Sequence, residues 1–126
     1  MARFRLSAPA KADLRNILAK SLERWGPEGR ARYAALLAES LRSLAAHPTG
    51  PTTRTRDELL PGVRSFHVRH VRGEHGARQP VHVIYYRTIP PDLIEVVRVL
   101  HERRDPSQHL EEPPEAPSKP RRSRRR

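Results

Sequence analysis

The dipeptide Gly26-Pro27 constrains the fold more than any other feature, because it interrupts a long stretch of helical periodicity. Glycine tolerates the left-handed backbone that ends a helix, and proline is favoured in the first turn of the next one. The pattern therefore predicts two helices, over residues 8–24 and 27–46. Almost no loop joins them, so we expect an antiparallel helical hairpin.

Each predicted helix has a single apolar stripe, which must be buried against another layer of structure. The stripe of the first helix consists of Leu14, Ile17, Leu18, Leu22 and Trp25. The stripe of the second consists of Tyr33, Leu36, Leu37, Leu41 and Leu44. Ser7 is a favourable N-cap with Pro9 in the first turn, and the segment HPTGP from His47 ends the second helix.

Outside the helices, the apolar periodicity changes from 3.6 to 2, which is typical of strands. The alternation predicts strands over residues 3–7, 63–71, 81–89 and 93–101, a polar loop over 52–61 and a turn over 72–80. The last three strands are joined by short turns and should pair antiparallel. The predicted fold class is α+β: a two-layer β-α-α-β-β-β domain with the hairpin packed on a small antiparallel sheet.

The strand over 81–89 is apolar on both faces. Val81, Val83 and Tyr85 face one way, and Ile84 and Tyr86 face the other. One face is expected to pack on the helices. The other is either a second core or a surface for a partner.

The chain is strongly basic, with a formal net charge of +11. Residues 111–126 combine proline and arginine without apolar periodicity, which predicts a disordered tail after a domain over residues 1–110. The tail has six basic and three acidic residues, so 19 basic and 11 acidic residues remain in the domain. A domain that is basic by itself indicates an acidic partner, either nucleic acid or protein.

Several classes of protein are disfavoured by what the sequence lacks. It has no cysteine, no apolar run of signal-peptide length near its start, and no run long enough to span a membrane. We therefore expect a cytoplasmic protein that does not contact a membrane. The histidine spacings fit no closed zinc site, and no phosphate-binding glycine loop occurs, so we expect no metal and no cofactor.

Six segments together resemble the ParE branch of the RelE/ParE toxins. In order they are RLSAPAKADL, ERWG, Tyr33 with the leucine stripe ending in HP, LPGVRSF, HVIYYR, and IEVVRVLHERRDP with a trailing HL. The resemblance spans residues 3–110 and implies the same β-α-α-β-β-β fold. The turn over 72–80 is longer than the family minimum, and the arginine-rich tail has no counterpart in the family pattern.

The resemblance also implies a function. ParE-like proteins are toxins of type II toxin–antitoxin systems, which serve in plasmid stabilization. They bind and poison DNA gyrase without catalysis of their own, and a cognate antitoxin neutralises them. On this model the antitoxin would lie along the hairpin, with Leu14, Leu18, Leu37 and Leu41 as candidate groove residues.

Two alternatives stay open at the level of sequence. RelE-like relatives cleave mRNA on the ribosome, which needs a general base, a general acid and cations around the phosphate. The candidates for that chemistry are Arg98, His101, Arg64 and Arg87. No tyrosine follows His101, which favours the ParE-like reading. A third option is a degenerate member that binds its partner but has lost toxicity.

The candidate partner-binding residues are basic and lie in the last three strands or after them. They are Arg64, Arg69, His70, Arg98, His101, Arg103 and Arg104. Strand alternation predicts Arg64 and His70 on one face and Arg69 on the other. The same alternation predicts that Arg98 shares a face with Ile94 and Val96, so that it lies either at a sheet edge or in a site.

Overall fold

The computed structural model describes residues 3–71, 76–77 and 79–110. It is a mixed α+β structure with one long helix and a five-stranded sheet. The elements are β1 (Arg3–Leu6), α1 (Ala8–Ala46), β2 (Arg54–Thr55), β3 (Val63–His67), β4 (His82–Ile89) and β5 (Leu93–His101), with 3-10 turns at Val68–His70 and Pro106–Gln108. The predicted tail over 111–126 and most of the predicted turn over 72–80 lie outside the described residues.

Helix α1 begins as the sequence predicts. The Ser7 hydroxyl accepts a hydrogen bond from the Ala10 amide at 3.1 Å, and Pro9 lies in the first turn, where no amide donor is needed. The helix ends at the cap residue His47, whose amide donates to the Ser43 carbonyl.

The predicted helix boundary at Gly26-Pro27 is confirmed by the backbone. Gly26 has φ 78° and ψ −176°, a conformation that is open almost only to glycine, and it divides α1 into two halves. Trp25 and Gly29 then pack tightly across the break. A Cβ atom on Gly29 would lie 2.2 Å from the Trp25 Cβ, so this position also requires glycine.

Both ends of α1 contact the same part of the sheet. The Ser7 amide donates to the Val96 carbonyl at 3.0 Å, and the Tyr86 hydroxyl donates to the carbonyl of Pro48, just after the helix. Tyr86 and Val96 are directly paired between β4 and β5. A straight helix of 39 residues would span about 58 Å. The chain must therefore reverse its direction at Gly26.

The strand order in the sheet is β1-β5-β4-β3-β2. The pairs β2–β3, β3–β4 and β4–β5 are antiparallel, as predicted for the last three strands, but β1 runs parallel to β5. The sheet is therefore mixed rather than antiparallel. Helix α1 separates β1 from the other strands in the chain, so β1 is not tied to a neighbour by a tight turn and pairs in parallel with β5. The strand Arg54–Thr55 was predicted as loop, since two residues are too few to show alternation.

Strand β3 is four residues shorter than predicted. It ends at His67, whose ring Nδ1 accepts a hydrogen bond from the Arg69 amide at 3.1 Å. This hydrogen bond caps the 3-10 turn Val68–His70. It uses the Arg69 amide, which is then not available for pairing with a neighbouring strand. The prediction that Arg64 and His70 share a strand face is therefore wrong.

An irregularity in the β4–β5 pairing changes which residues of β5 share a face. Tyr85 pairs with Arg98 while Tyr86 pairs with Val96, so Val97 is an extra residue. The shift takes Arg98 out of the face of Ile94 and Val96. The prediction that these three share a face is wrong, because sequence alternation cannot show a bulge.

The two faces of the sheet bury separate clusters, as the sequence of β4 predicts. The main core joins α1 to one face and includes Tyr33, Leu36, Leu44, Phe66, Ile84, Tyr86, Ile94, Val96 and Val99. The other face has a smaller core of Val63, Tyr85, Leu100 and Leu110. The second apolar face is thus a second core. Leu22 departs from its predicted stripe and is 44% exposed.

Candidate functional site

The topology gathers five of the predicted partner-binding residues at one end of the sheet. In an antiparallel sheet the end of β3, the start of β4 and the end of β5 are adjacent. Basic residues lie at each of these strand ends or close to it in the chain. The group, which we call the basic end, is Arg69, His70, His101, Arg103 and Arg104.

Two direct contacts hold the strands together at the basic end. The His67 Nε2 lies 2.7 Å from a carboxylate oxygen of Glu102, and this hydrogen bond lowers the pKa of Glu102. The rings of His82 and His101 meet edge to face, with their centroids 5.6 Å apart. The basic end is therefore built on paired strands rather than on a free loop.

Four members of the basic end are exposed: Arg69, His70, Arg103 and Arg104. The His70 ring lies 6.2 Å from the Phe66 ring, and the pKa of His70 is lowered by partial desolvation and then by the charges of Arg69 and His67. The surface therefore carries its positive charge near neutral pH mainly on arginines, which suits contact with an acidic partner.

Arg64 and Arg87 lie at the opposite end of the sheet, where Arg87 pairs with Val63. The Arg64 Nη2 donates to the Thr53 hydroxyl at 2.7 Å. Arg87 donates to one oxygen of Glu95 from Nε at 2.9 Å and from Nη2 at 2.7 Å. Of the four residues proposed for mRNA cleavage, Arg87 and His101 thus lie far apart along the sheet, whereas Arg64 and Arg98 pair with the adjacent residues Tyr86 and Tyr85 on opposite sides of β4.

Arg98 is bound on both sides of its guanidinium. Its Nε and Nη2 donate to the two carboxylate oxygens of Asp13 at 2.8 and 2.9 Å, and its Nη1 donates to the His109 carbonyl at 2.9 Å. The Val99 amide donates to the same carboxylate at 2.9 Å. The side chains of Arg98 and Asp13 are only 21% and 12% exposed. This fork-shaped pair joins α1, β5 and the segment after it.

No pattern in the sequence indicates the role of Asp13. It is one acidic residue near the start of a helix that contains many charges, and its partner lies 85 positions later in the chain. Only the packing of α1 along the free edge of β5 brings the two together. Strand β1 pairs with β5 only as far as Val96, so Arg98 does lie at a sheet edge, which is one of the two positions expected for it.

A cleft of about 510 Å³ opens between α1 and the basic end. We call it the cleft. Its lining is Asp13, Asn16, Ile17, Lys20, Ser21, Arg24, Trp25, Tyr33, Gln79, Val81, His82, Arg98, Val99, Leu100, His101 and Arg104.

A buried pair of hydrogen bonds forms one wall of the cleft. The Tyr33 oxygen lies 2.6 Å from His82 Nδ1 and accepts a hydrogen bond from the Val81 amide at 3.1 Å. Burial lowers the pKa of His82 to about 4, with a further contribution from the charge of His101, and burial raises the pKa of Tyr33. The sequence predicts Tyr33 only as part of an apolar stripe, and it assigns His82 no role.

The candidate groove leucines differ in burial. Leu37 and Leu41 are only 4% and 6% exposed and belong to the main core. Leu14 and Leu18 are partly buried and pack against that core from the first half of α1. Of these four leucines, only Leu14 and Leu18 present apolar surface that a partner could contact.

Two further observations concern the described residues alone. No group of three or more histidine or acidic side chains is placed to hold a metal ion. Helix α1 contains no stretch that is apolar enough over the length needed to cross a membrane.

The fold is shared with a solved structure. A chain from the chromosomal ParDE toxin–antitoxin system of P. aeruginosa superposes with a TM-score of 0.60, covering 80% of this chain and 96% of that one at 19% identity. The mixed α+β architecture is thus that of a small protein from a toxin–antitoxin pair.

Sequence comparison then defines the family. The family model described as "ParE toxin of type II toxin-antitoxin system, parDE" matches residues 4–106. Toxin ParE1 of Caulobacter vibrioides is 35% identical over 107 residues, which is 85% of this chain and 96% of the relative. Toxin ParE1 of Mycobacterium tuberculosis is 32% identical over 108 residues, covering 86% and 97%. The chain belongs to the ParE toxin family, and it is a toxin of a type II toxin–antitoxin system.

Proposed function

We propose that this toxin inhibits growth by binding and poisoning DNA gyrase in the cytoplasm, and that a cognate antitoxin neutralises it. Membership of the ParE family is the observation that carries the proposal. The resemblance to ParE-like toxins supplies gyrase as the target. Plasmid stabilization is the corresponding biological role.

The basic end is the surface that we propose for the target. Arg69 and Arg103 are exposed there, 34 positions apart, and follow the strands β3 and β5, which the His67–Glu102 hydrogen bond joins. Electrostatic attraction from such a surface accelerates association with an acidic partner. Arg98 supports the frame from its edge, because Asp13 and the His109 carbonyl bind its guanidinium.

A second surface is proposed for the antitoxin. The reversal at Gly26 supports a hairpin in which both halves of α1 form one layer over the main core face of the sheet. Leu14 and Leu18 would then lie at the margin of that layer, where they pack partly on the core and an amphipathic segment can cover the rest of their surface. The domain over residues 1–110 would carry both surfaces, and the tail over 111–126 would be a separate extension.

The positions of the proposed cleavage residues favour binding over catalysis. Carboxylates bind the guanidinium groups of Arg98 and Arg87, Asp13 in the first case and Glu95 in the second. A phosphate would have to compete with those carboxylates. We therefore propose a toxin without catalysis of its own.

Expression of the full chain without an antitoxin tests this proposal. Growth, double-strand DNA breaks and message integrity should be followed together, and purified toxin should be added to a gyrase supercoiling assay. Gyrase poisoning predicts growth arrest with DNA breaks and intact messages. Rapid cleavage of ribosome-bound messages would instead identify an endoribonuclease, and unchanged growth would identify a degenerate member.

Charge reversal locates the target surface. The double variant R69E/R103E should weaken gyrase inhibition by about tenfold or more, since it reverses two charges at the basic end. Its matched control is R30E/R54E, which reverses two exposed arginines elsewhere, on α1 and β2. Equal loss in both variants would show that net charge, not the basic end, determines inhibition.

A further inference from the structure

The cleft contains cations that no acidic side chain neutralises. Lys20, Arg24 and Arg104 line it, and none of them forms an ion pair within the part of the chain that the structure describes. Asp13 is the one acidic residue of the lining, and its carboxylate is already bound by Arg98 and by the Val99 amide. The cleft therefore carries net positive charge.

Two histidines add hydrogen-bond donors to the same lining. The Tyr33 hydroxyl accepts from the Val81 amide and so directs its own hydrogen to His82 Nδ1. His82 is neutral near pH 7, because burial lowers its pKa to about 4, so its proton lies on Nε2. The His101 Nδ1 accepts from the Arg103 amide at 3.1 Å, which also leaves the proton on Nε2. In both His82 and His101, the Nε2 atom is therefore a hydrogen-bond donor.

Part of the remaining lining is apolar and aromatic. Ile17, Trp25 and Val99 contribute it, and the Arg24 guanidinium lies 5.2 Å from the centre of the Trp25 ring. A volume of about 510 Å³ falls in the range of small-molecule sites, roughly 300–1,000 Å³. An inorganic anion would fill only the cationic part of this space.

We infer that the cleft binds a nucleoside phosphate, with the phosphate among Lys20, Arg104 and the histidine donors and the base beside Trp25. Positive charge and the histidine N–H donors recognise the phosphate. The Arg24 guanidinium lies over the Trp25 ring and offers a flat cationic surface on which a base can stack. A short acidic peptide could use the cations but would leave the apolar side unfilled. The ligand is either a free nucleotide or the terminal nucleotide of a nucleic-acid strand.

Trp25 is the only tryptophan of the chain, so its fluorescence reports on the cleft itself. The full-length toxin should be titrated separately with AMP, with 5′-phosphorylated tetrathymidylate and with a hexaglutamate peptide. Saturable quenching by AMP supports a site for free nucleotides. Quenching by the tetranucleotide alone supports a site for strand ends, and either result supports the proposed chemistry.

Matched substitutions show whether the cleft is the binding site. K20Q and R104Q should each weaken nucleotide binding by about tenfold, the scale of one charge-assisted hydrogen bond. K11Q and R54Q are the controls, because they remove an exposed lysine from the same helix and an exposed arginine from β2, outside the lining. All four side chains are exposed, so circular dichroism should show an unchanged fold.

Three results would overturn the inference. The first is no saturable fluorescence change with AMP or the tetranucleotide at low ionic strength. The second is tighter binding of hexaglutamate than of either nucleotide ligand. The third is equal weakening by K11Q and K20Q, which would indicate diffuse attraction to a basic protein.

Discussion

Lowering the pH from about 7 to about 5 is expected to destabilise the fold through His82. Its pKa is about 4 in the folded chain, against an ordinary value of 6.5, because burial beside Tyr33 disfavours the charged ring. Between these values the unfolded chain binds a proton that the folded chain does not. Stability is therefore fully present above pH 6.5 and decreases as the pH falls toward 4.

The size of the effect follows from the two pKa values. Each tenfold change in proton affinity is worth about 1.4 kcal/mol, so the full difference is about 3 kcal/mol. Between about pH 7 and about pH 5, the titration of this one group accounts for about 2 kcal/mol of the free energy of unfolding. That is a large fraction of the stability of a small domain.

Urea unfolding of the wild type and of H82Q, repeated across this pH range, measures the effect. The glutamine cannot titrate, whereas every other ionisable residue is the same in the two proteins. The difference between the two pH profiles therefore isolates His82. Parallel profiles, with the same loss of stability in both proteins, would refute the argument.

Three further changes test the packing. D13N should destabilise the fold by about 2–3 kcal/mol in urea unfolding, because it leaves the Arg98 guanidinium partly buried without its carboxylate; a loss below about 0.5 kcal/mol would contradict this. G26A should cost about 1–3 kcal/mol from backbone strain alone, since no atom lies within 4 Å of the new Cβ, while G50A, at an ordinary φ, should be near neutral. Y33F should cost about 1–2 kcal/mol by thermal melting, because the phenylalanine removes two hydrogen bonds; an unchanged melting temperature would show that these bonds contribute nothing.

Much of the local structure could be predicted because it depends on neighbours in the chain. The Ser7 cap, the break at Gly26 and strand β5 follow from residue type and periodicity, and the structure confirms each of them. The two apolar faces of β4 could likewise be predicted, since alternation places Tyr85 and Tyr86 on opposite sides. The family could be recognised from short segments in a fixed order.

The candidate site could be predicted only in part. The sequence identified the residues of the basic end as candidates, but not that Arg69 and Arg103 would lie at the same end of the sheet, which depends on the register of three strands. From the sequence, Arg64 and Arg98 belong to the same sets of candidate cleavage and partner-binding residues. Pairing places them on opposite sides of β4, where Arg64 donates to Thr53 and Arg98 donates to Asp13.

By itself, the sequence determined the charge of the chain, the break that divides its helix, the strand segments and the family. Those properties are local or additive, so a one-dimensional pattern contains them. Only the tertiary structure decided that β1 runs parallel to β5, that a bulge turns Arg98 toward Asp13, and that Tyr33 meets His82 beside a basic cleft. Each of these depends on groups that are distant in sequence and become neighbours only when the helix and the sheet pack together.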